Sequence, residues 1–124
     1  PAEGETPYFC RTQVEKVKAI HAFLREHVGE NFTQEALSHR FAISMTPMKT
    51  CFRSVYGMAI GTWLTQYRMD LAAELLRQRP ELSIAEIGGQ VGYDNAGKFT
   101  EAFKRVMHFT PSEYRKERGI RHET

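Results

Sequence analysis

The feature that most constrains this chain is a repeat. The stretches "LSHRFAIS" (37–44) and "IGGQVGYD" (87–94) follow one plan at an offset of 50 residues. Each opens on an apolar anchor, Leu37 or Ile87, followed by a small residue, Ser38 or Gly88. Each closes on a residue suited to cap a helix, Ser44 or Asp94. Past the cap the offset becomes 51: Met48 matches Phe99, Phe52 matches Phe103 and Gly57 matches His108. One extra residue is therefore expected at the start of the second copy's last helix. Each copy reads as a short helix, a tight turn and a longer helix, and the small residue after the anchor lets the two helices cross closely. A generic helical hairpin also tolerates small contact residues, but it gives no reason for caps and phenylalanines to keep register through two copies.

The rest of the chain is helical by the same tests. From Arg11, the residues Val14, Val17, Ile20, Phe23, Leu24 and Val28 recur at three- and four-residue spacing, and Gly29 is expected to end that helix. Thr33 caps the helix that carries Ala36, Leu37 and Phe41. Ser44 caps "MTPMKTCFRSVY", in which Pro47 falls in the first turn, where its missing amide has no partner to lose. Gly57 stops it. Residues 60–78 form a longer helix with Trp63, Leu64, Tyr67, Leu71, Leu75 and Leu76 as its apolar stripe. At 1.5 Å per residue it is about 28 Å long. Ser83 with Glu86 has the spacing of a capping box, Asp94 is expected to cap "NAGKFTEAFKRVM", and Thr110, Pro111 and Glu113 open the last helix. No stretch reads as a strand. The expectation is an all-α chain of about seven helices: two helix-turn-helix subdomains, 11–58 and 80–118, joined by a long linker helix, 59–79. Residues 1–10 read as a linker or tail and 119–124 as a tail.

Composition narrows the function by what it excludes. Net charge is +2, too small to argue for a partner, but the charge is unevenly placed. From Met45 to Tyr56 there are two bases, Lys49 and Arg53, and no acid; from Lys98 to Arg118 six bases face three acids. No apolar run approaches the ~20 residues of a membrane span, so no membrane association and a cytoplasmic location are expected. Cys10 and Cys51 read as an incidental tail thiol and a small buried one. His21, His27, His39, His108 and His122 show no H-x-x-H pattern and the cysteines no C-x-x-C, so neither a metal nor a cofactor is expected. An enzyme needs a nucleophile with a base, paired acids or a metal set. The nearest approach is Cys51 with His39, and Cys51 falls on an inward face. The chain is read as not an enzyme.

The run "YRMDLAAELLRQRPELSIAEIGGQVGYDNAGKFTEAFKRVMHFTPSEYR" resembles the DNA-binding region of AraC/XylS-type transcription regulators. The resemblance covers roughly residues 12–118. It is carried by Arg68 before "A..LL", then "SI.EI", "VGY", "F...FK" and "TPSEYR", a set that is specific together and weak piece by piece. It implies two helix-turn-helix subdomains on a long helix and sequence-specific binding of double-stranded DNA by a bacterial transcription regulator. It further implies RNA polymerase as a partner and a sensing or dimerisation domain, absent here, ahead of the linker-like "PAEGETP".

In a helix-turn-helix the second helix enters the major groove and its N-terminal half meets base edges. In the first copy Met48, Cys51, Phe52 and Val55 form the inward face, which leaves Thr46, Lys49, Thr50 and Arg53 outward. Lys49 and Arg53 suit guanine O6/N7; the threonines offer a hydroxyl or a methyl. In the second copy Phe99, Phe103 and Val106 point inward and Ala96, Gly97, Thr100, Glu101 and Lys104 outward. The resemblance puts base contacts at Thr46, Lys49 and Thr50, and at Ala96, Gly97, Thr100 and Glu101. Where relatives often carry arginine this chain has Glu101, and two readings stand: an acceptor for cytosine N4, or a carboxylate that repels phosphate and leaves the second half weak. Gly97 costs the helix about 1 kcal/mol of propensity and is read as permitting close backbone approach to DNA. Phosphate contacts are expected from Lys98, Lys104 and Arg105, and from the helix starts at Thr33 and Ser83. Arg68 and Trp63 are read as internal bracing and Arg115 as a structural cap or pair. Two successive major-groove segments lie ~34 Å apart, the order of the linker helix's length. The alternative is a helical protein-interaction module, for example one contacting RNA polymerase, that reads no DNA sequence.

Overall fold

The computed structural model describes residues 9–119. Most of the expected linker at 1–10 and of the tail at 119–124 lies outside the described residues. Among the described residues all regular structure is helical. The helices are α1 (Arg11–Glu26), α2 (Gln34–Arg40), α3 (Met45–Tyr56), α4 (Ile60–Gln78), α5 (Ile84–Gln90), α6 (Ala96–Met107) and α7 (Pro111–Tyr114), the last running into a π-helical turn over Arg115–Gly119. The architecture is the expected one, all-α with two helix-turn-helix motifs. One helix ends early: α1 stops at Glu26, with His27 as its C-cap. Gly29 is therefore not the stop signal. It marks a close approach, since a Cβ there would lie 2.9 Å from the Gln90 carbonyl oxygen.

The chain divides into two compact units. Among the described residues, the first takes the chain up to His27 together with Asn31–Leu64, and the second takes Val28–Glu30 and the chain from Thr65 onward. The core of the first is Val17, Ile20 and Leu24 from α1, Leu37 from α2, Met48, Cys51 and Phe52 from α3, with Ile43 and Ile60. The core of the second is Met69, Ala72, Ala73 and Leu76 from α4, Ile87 from α5, Val91, and Phe99, Ala102 and Phe103 from α6. Burying such side chains is the main force that holds each unit together, at about 1.5–3 kcal/mol for each large one.

The repeat runs further than the helix-turn-helix. Val17, Ile20 and Leu24 recur 52 residues on as Met69, Ala72 and Leu76, and all six are buried. At the far end Trp63 and Tyr114, 51 apart, each meet a core phenylalanine edge-on: Trp63 on Phe52 at 5.9 Å, Tyr114 on Phe103 at 5.5 Å. Each unit is thus a leading helix, a helix-turn-helix and a closing aromatic, and α4 supplies the closing turn of the first and the leading helix of the second.

The two turns are built alike. Amides of Phe41, Ala42 and Ile43 donate to the carbonyls of Leu37, His39 and Ser38, and the same bonds recur 50 residues on from Val91, Gly92 and Tyr93 to Ile87, Gly89 and Gly88. The offset becomes 51 only at the caps, Ser44 and Asn95. Asn95, not Asp94, caps α6: its side-chain oxygen accepts the Lys98 amide at 3.0 Å. The extra residue is therefore Asp94, in the turn, and not a residue inside the helix. Asp and Asn cap equally well, so their order along the chain could not decide between them. Ser44 occupies the cap position of α3 but makes no side-chain capping bond. The small residue after each anchor has two uses. A Cβ on Gly88 would lie 3.0 Å from the Phe99 ring, while Ser38 donates its hydroxyl proton to the Ile43 carbonyl.

Both copies require left-handed backbone at the same two places, and each has glycine at only one of them. In the turn the residues are Ala42 (φ 53°) and Gly92 (φ 101°); at the end of the second helix they are Gly57 (φ 83°) and His108 (φ 72°). A side chain in this region costs on the order of 1–2 kcal/mol. Ala42→Gly and His108→Gly should therefore each raise stability by about 1 kcal/mol in thermal or denaturant melts, part of the gain being offset by the freer unfolded chain. Gly92→Ala should cost more than strain alone, because its Cβ would lie 2.6 Å from the Arg68 guanidinium carbon. A fall in stability for Ala42→Gly would show that no strain resides there.

His21 of α1 stacks on Tyr56 at 4.1 Å with planes 5° apart, and Trp63 tilts against it at 4.5 Å. Burial first, and then the Arg25 charge, hold its pKa below the usual histidine value. The folded unit therefore favours the neutral ring. As pH falls through about 6.5 the unfolded chain takes up this proton first, so stability is full above that pH and declines below it, down to the lowered folded value. Denaturant melts at pH 7.5 and 5.5 should show a smaller loss for His21→Phe than for the unaltered chain; an equal loss would exclude His21 as the source.

Candidate nucleic-acid interface

The helix α3 is amphipathic because its apolar residues fall at three- and four-residue spacing. Met48, Cys51 and Phe52 are fully buried, and this turns Thr46, Lys49, Thr50 and Arg53 outward, where all four are exposed. Val55, expected on the inward face, is 38% exposed. The core ends at Phe52, and the last turn is covered through Tyr56, which takes the stack on His21 instead. The Thr50 hydroxyl donates to the Thr46 carbonyl at 3.0 Å, so its methyl and its lone pairs are what remain for another molecule. Among the described residues neither Lys49 nor Arg53 has a hydrogen-bond or ion-pair partner. No acid stands on this helix, and Arg53 lies in its last turn, where the helix dipole favours positive charge.

The helix α6 buries Phe99, Ala102 and Phe103 and exposes Ala96, Gly97, Lys98, Glu101, Lys104 and Arg105. Thr100 differs from the expectation: it is half-buried at the edge of the apolar stripe, beside Phe99 and Phe103. Val106, expected inward, is half-buried. Gly97 has a reason inside the protein, since a Cβ there would lie 3.1 Å from the capping oxygen of Asn95. Among the described residues Lys98, Glu101, Lys104 and Arg105 have no hydrogen-bond or ion-pair partner. Lys104 and Arg105 also stand in the last turn, where the helix dipole favours positive charge.

The two short helices start differently. At α2 the Thr33 hydroxyl accepts the Ala36 amide at 3.0 Å. At α5 a capping box is closed: the Ser83 hydroxyl accepts the Glu86 amide at 3.0 Å, and the Ser83 amide donates to Glu86 Oε1 at 2.8 Å. A phosphate at Ser83 would have to displace that carboxylate, a competition that does not arise in the same form at Thr33.

Three basic residues work inside the protein. Arg68, 6% exposed, donates from Nε to the Val28 carbonyl at 3.1 Å and from Nη2 to the Glu30 carbonyl at 2.9 Å. Arg115 closes the end of α4, donating to the carbonyls of Leu76 and Arg79 at 3.3 and 3.1 Å. Lys16 donates to the Ala42 carbonyl in the first turn. Lys16 is not legible in the sequence, because a base in mid-helix carries no local signal of what it will reach 26 residues away.

Cys51 is fully buried, and burial first, then the Cys10 thiol, push its own thiol up, the reverse of an activated nucleophile. His39 is exposed. Among the described residues no three His, Cys, Asp or Glu side chains come together to hold a metal ion, and no helix is long and apolar enough to cross a membrane.

A family model described as a helix-turn-helix domain matches residues 37–117. The C-terminal domain of AraT, a response regulator from Geobacillus stearothermophilus, is 32% identical with a TM-score of 0.81, covering 88% of this chain and 90% of that one. The DNA-binding domain of AdpA, a global transcriptional factor solved in complex with a target DNA, is 28% identical with a TM-score of 0.80, covering 88% of this chain and 98% of that one. A putative AraC-like transcription regulator of Streptomyces antibioticus is 31% identical over 81% of this chain and 33% of its own length. This chain spans about a third of the length of the curated relatives it matches.

Proposed function

Because this chain belongs to the AraC/XylS type of helix-turn-helix domain, we propose that it binds double-stranded DNA by sequence as the DNA-binding part of a bacterial transcription regulator. The observation that carries this reading is the outward face of α3. Lys49 and Arg53 stand exposed behind a helix-turn-helix turn, with no acid on their helix and no partner among the described residues. A solvated surface helix ordinarily mixes both signs.

In this reading residues 11–58 and 80–118 each present one helix, α3 and α6, to successive major-groove segments, and 59–79 join them. Thr46, Lys49, Thr50 and Arg53 meet bases from the first. Ala96, Gly97, Thr100 and Glu101 do so from the second, where Thr100, being half-buried, offers the least. Phosphates are held by Lys98, Lys104 and Arg105 and by the start of α2 at Thr33; the start of α5 at Ser83 contributes less, because Glu86 already occupies it. Glu101, unspent on any described neighbour, is assigned to cytosine N4. Kinship with transcription regulators supports RNA polymerase and a sensing or dimerisation domain as partners, and a cytoplasmic location. The same kinship supports reading the chain as part of a regulator and not as an enzyme.

Selection of duplexes from a random pool, followed by a salt titration on the preferred one, tests the proposal. Affinity should fall steeply with salt and differ clearly between selected and random duplexes. Flat, negligible binding would sink it in favour of a protein-interaction module. Lys49→Ala should relax preference at one base step by roughly tenfold, whereas Arg105→Ala should weaken all duplexes alike and reduce the salt slope by about one. Equal effects of both on selected and random duplexes would refute that division of roles. Glu101→Ala and Glu101→Arg should each move preference away from a cytosine, and an unchanged preference would remove Glu101 from the base-reading set.

A further inference from the structure

The leading helix of each unit carries a basic residue one position before its first buried core residue. Lys16 precedes Val17 on α1, and Arg68 precedes Met69 on α4. The two are equivalent under the offset of 52 that also pairs Ile20 with Ala72 and Leu24 with Leu76. Each reaches the left-handed residue of the helix-turn-helix turn in its own unit. Lys16 Nζ donates to the Ala42 carbonyl at 2.5 Å. The Arg68 guanidinium lies against Gly92, where a Cβ would come within 2.6 Å of it, and stands 5.9 Å from the centre of the Tyr93 ring. Its bonds to the carbonyls of Val28 and Glu30 fix the group in place.

These turns lead directly into the caps of α3 and α6. A change in the backbone of the left-handed residue swings the helix that follows, so whatever holds that residue also holds the direction of the side chains beyond it. We propose that Lys16 and Arg68 are equivalent positioning residues. Each clasps the left-handed turn of its own unit and so seats one helix, α3 for Lys16 and α6 for Arg68. The two clasps differ in chemistry because the turns differ. Ala42 keeps its Cβ and offers its carbonyl to a compact ammonium; Gly92, without a Cβ, leaves room for a planar guanidinium.

The consequence for base reading rests on the function proposed for α3 and α6, but the clasp itself does not. A brace with only a general structural role would weaken binding to all duplexes alike. A clasp dedicated to one helix affects one part of the site. Duplexes selected by the unaltered chain provide the probe: base positions that respond to Lys49→Ala or Arg53→Ala are assigned to α3, and those that respond to Glu101→Ala to α6. Lys16→Met keeps most of the side-chain stem and removes the donor; Arg68→Lys keeps the charge and removes the planar fork. Lys16→Met is expected to reduce preference at the α3 positions by roughly tenfold, the discrimination of one good base contact, and to leave the α6 positions unchanged. Arg68→Lys is expected to do the reverse. Loss spread evenly over both sets, or no loss in either variant, overturns the proposal.

Amide hydrogen exchange without DNA tests the clasp separately. Lys16→Met should speed exchange at Ala42 and Ile43 and not at Gly92 and Tyr93, and Arg68→Lys should do the opposite. Unchanged protection at the matching turn overturns the clasp whatever the DNA result. A parent chain that selects no sequence would count against α3 and α6 as reading helices, while the exchange result still decides the clasp. If Arg68→Lys does not fold, the Lys16 variant decides alone in both measurements.

Discussion

A single residue in left-handed conformation allows the second helix of each pair to double back across the first. At Ala42 and Gly92 the chain takes the same tight turn, closed by the same three backbone bonds. The other features of each unit follow from that reversal. The helices cross closely, so the residue after the anchor is small, and a Cβ on Gly88 would press on the Phe99 ring at 3.0 Å. The second helix must then bury a narrow stripe, Met48 and Phe52 in one unit and Phe99 and Phe103 in the other, which leaves its opposite face to solvent. The outward face available for recognition is thus a by-product of how the inward face is packed.

Two units of this size would be marginal if each had to supply all its own cover. The α4 helix eases that limit by serving both, with Trp63 closing the first core and Met69, Ala72 and Leu76 opening the second. The changing offset, 52 for the leading helices, 50 through the first helix and turn, and 51 beyond, records small differences in loop length between copies. None of these shifts moves a core position out of register, because they fall between helices.

The two outward faces are not equivalent. The α3 face is free of acid and carries Lys49 and Arg53. On α6, Glu101 stands among Lys98, Lys104 and Arg105, and Asp94 adds a second exposed carboxylate in the turn before its cap. Glycine at 97 suits two demands at once: a side chain would crowd the Asn95 cap from within, and would keep an approaching DNA backbone at a distance from without. The first demand follows from the structure and the second from the proposed function. The positive charge is therefore unmixed on the α3 face and mixed with carboxylates on and beside the α6 face.

What the sequence determined by itself was local and periodic. Apolar spacing, the caps at Thr33, Ser83 and Thr110 and the stop at Gly57 act within a few residues of chain, and the repeat sets two such local patterns in one sequence, so the helices, the two motifs and, Thr100 apart, the outward faces of α3 and α6 were legible without coordinates. Tertiary structure decided what depends on residues distant in sequence. Gly29 looked like a helix stop and is a contact with Gln90; Val55 had inward spacing but no core above it; Lys16 gave no sign of reaching Ala42. The choice of Asn95 over Asp94 as cap was local yet still undecidable, because two equally good caps stood side by side and only the path of the turn selected one. Periodicity reports which way a side chain faces along its own helix, but not what lies opposite, and these assignments turned on what lies opposite.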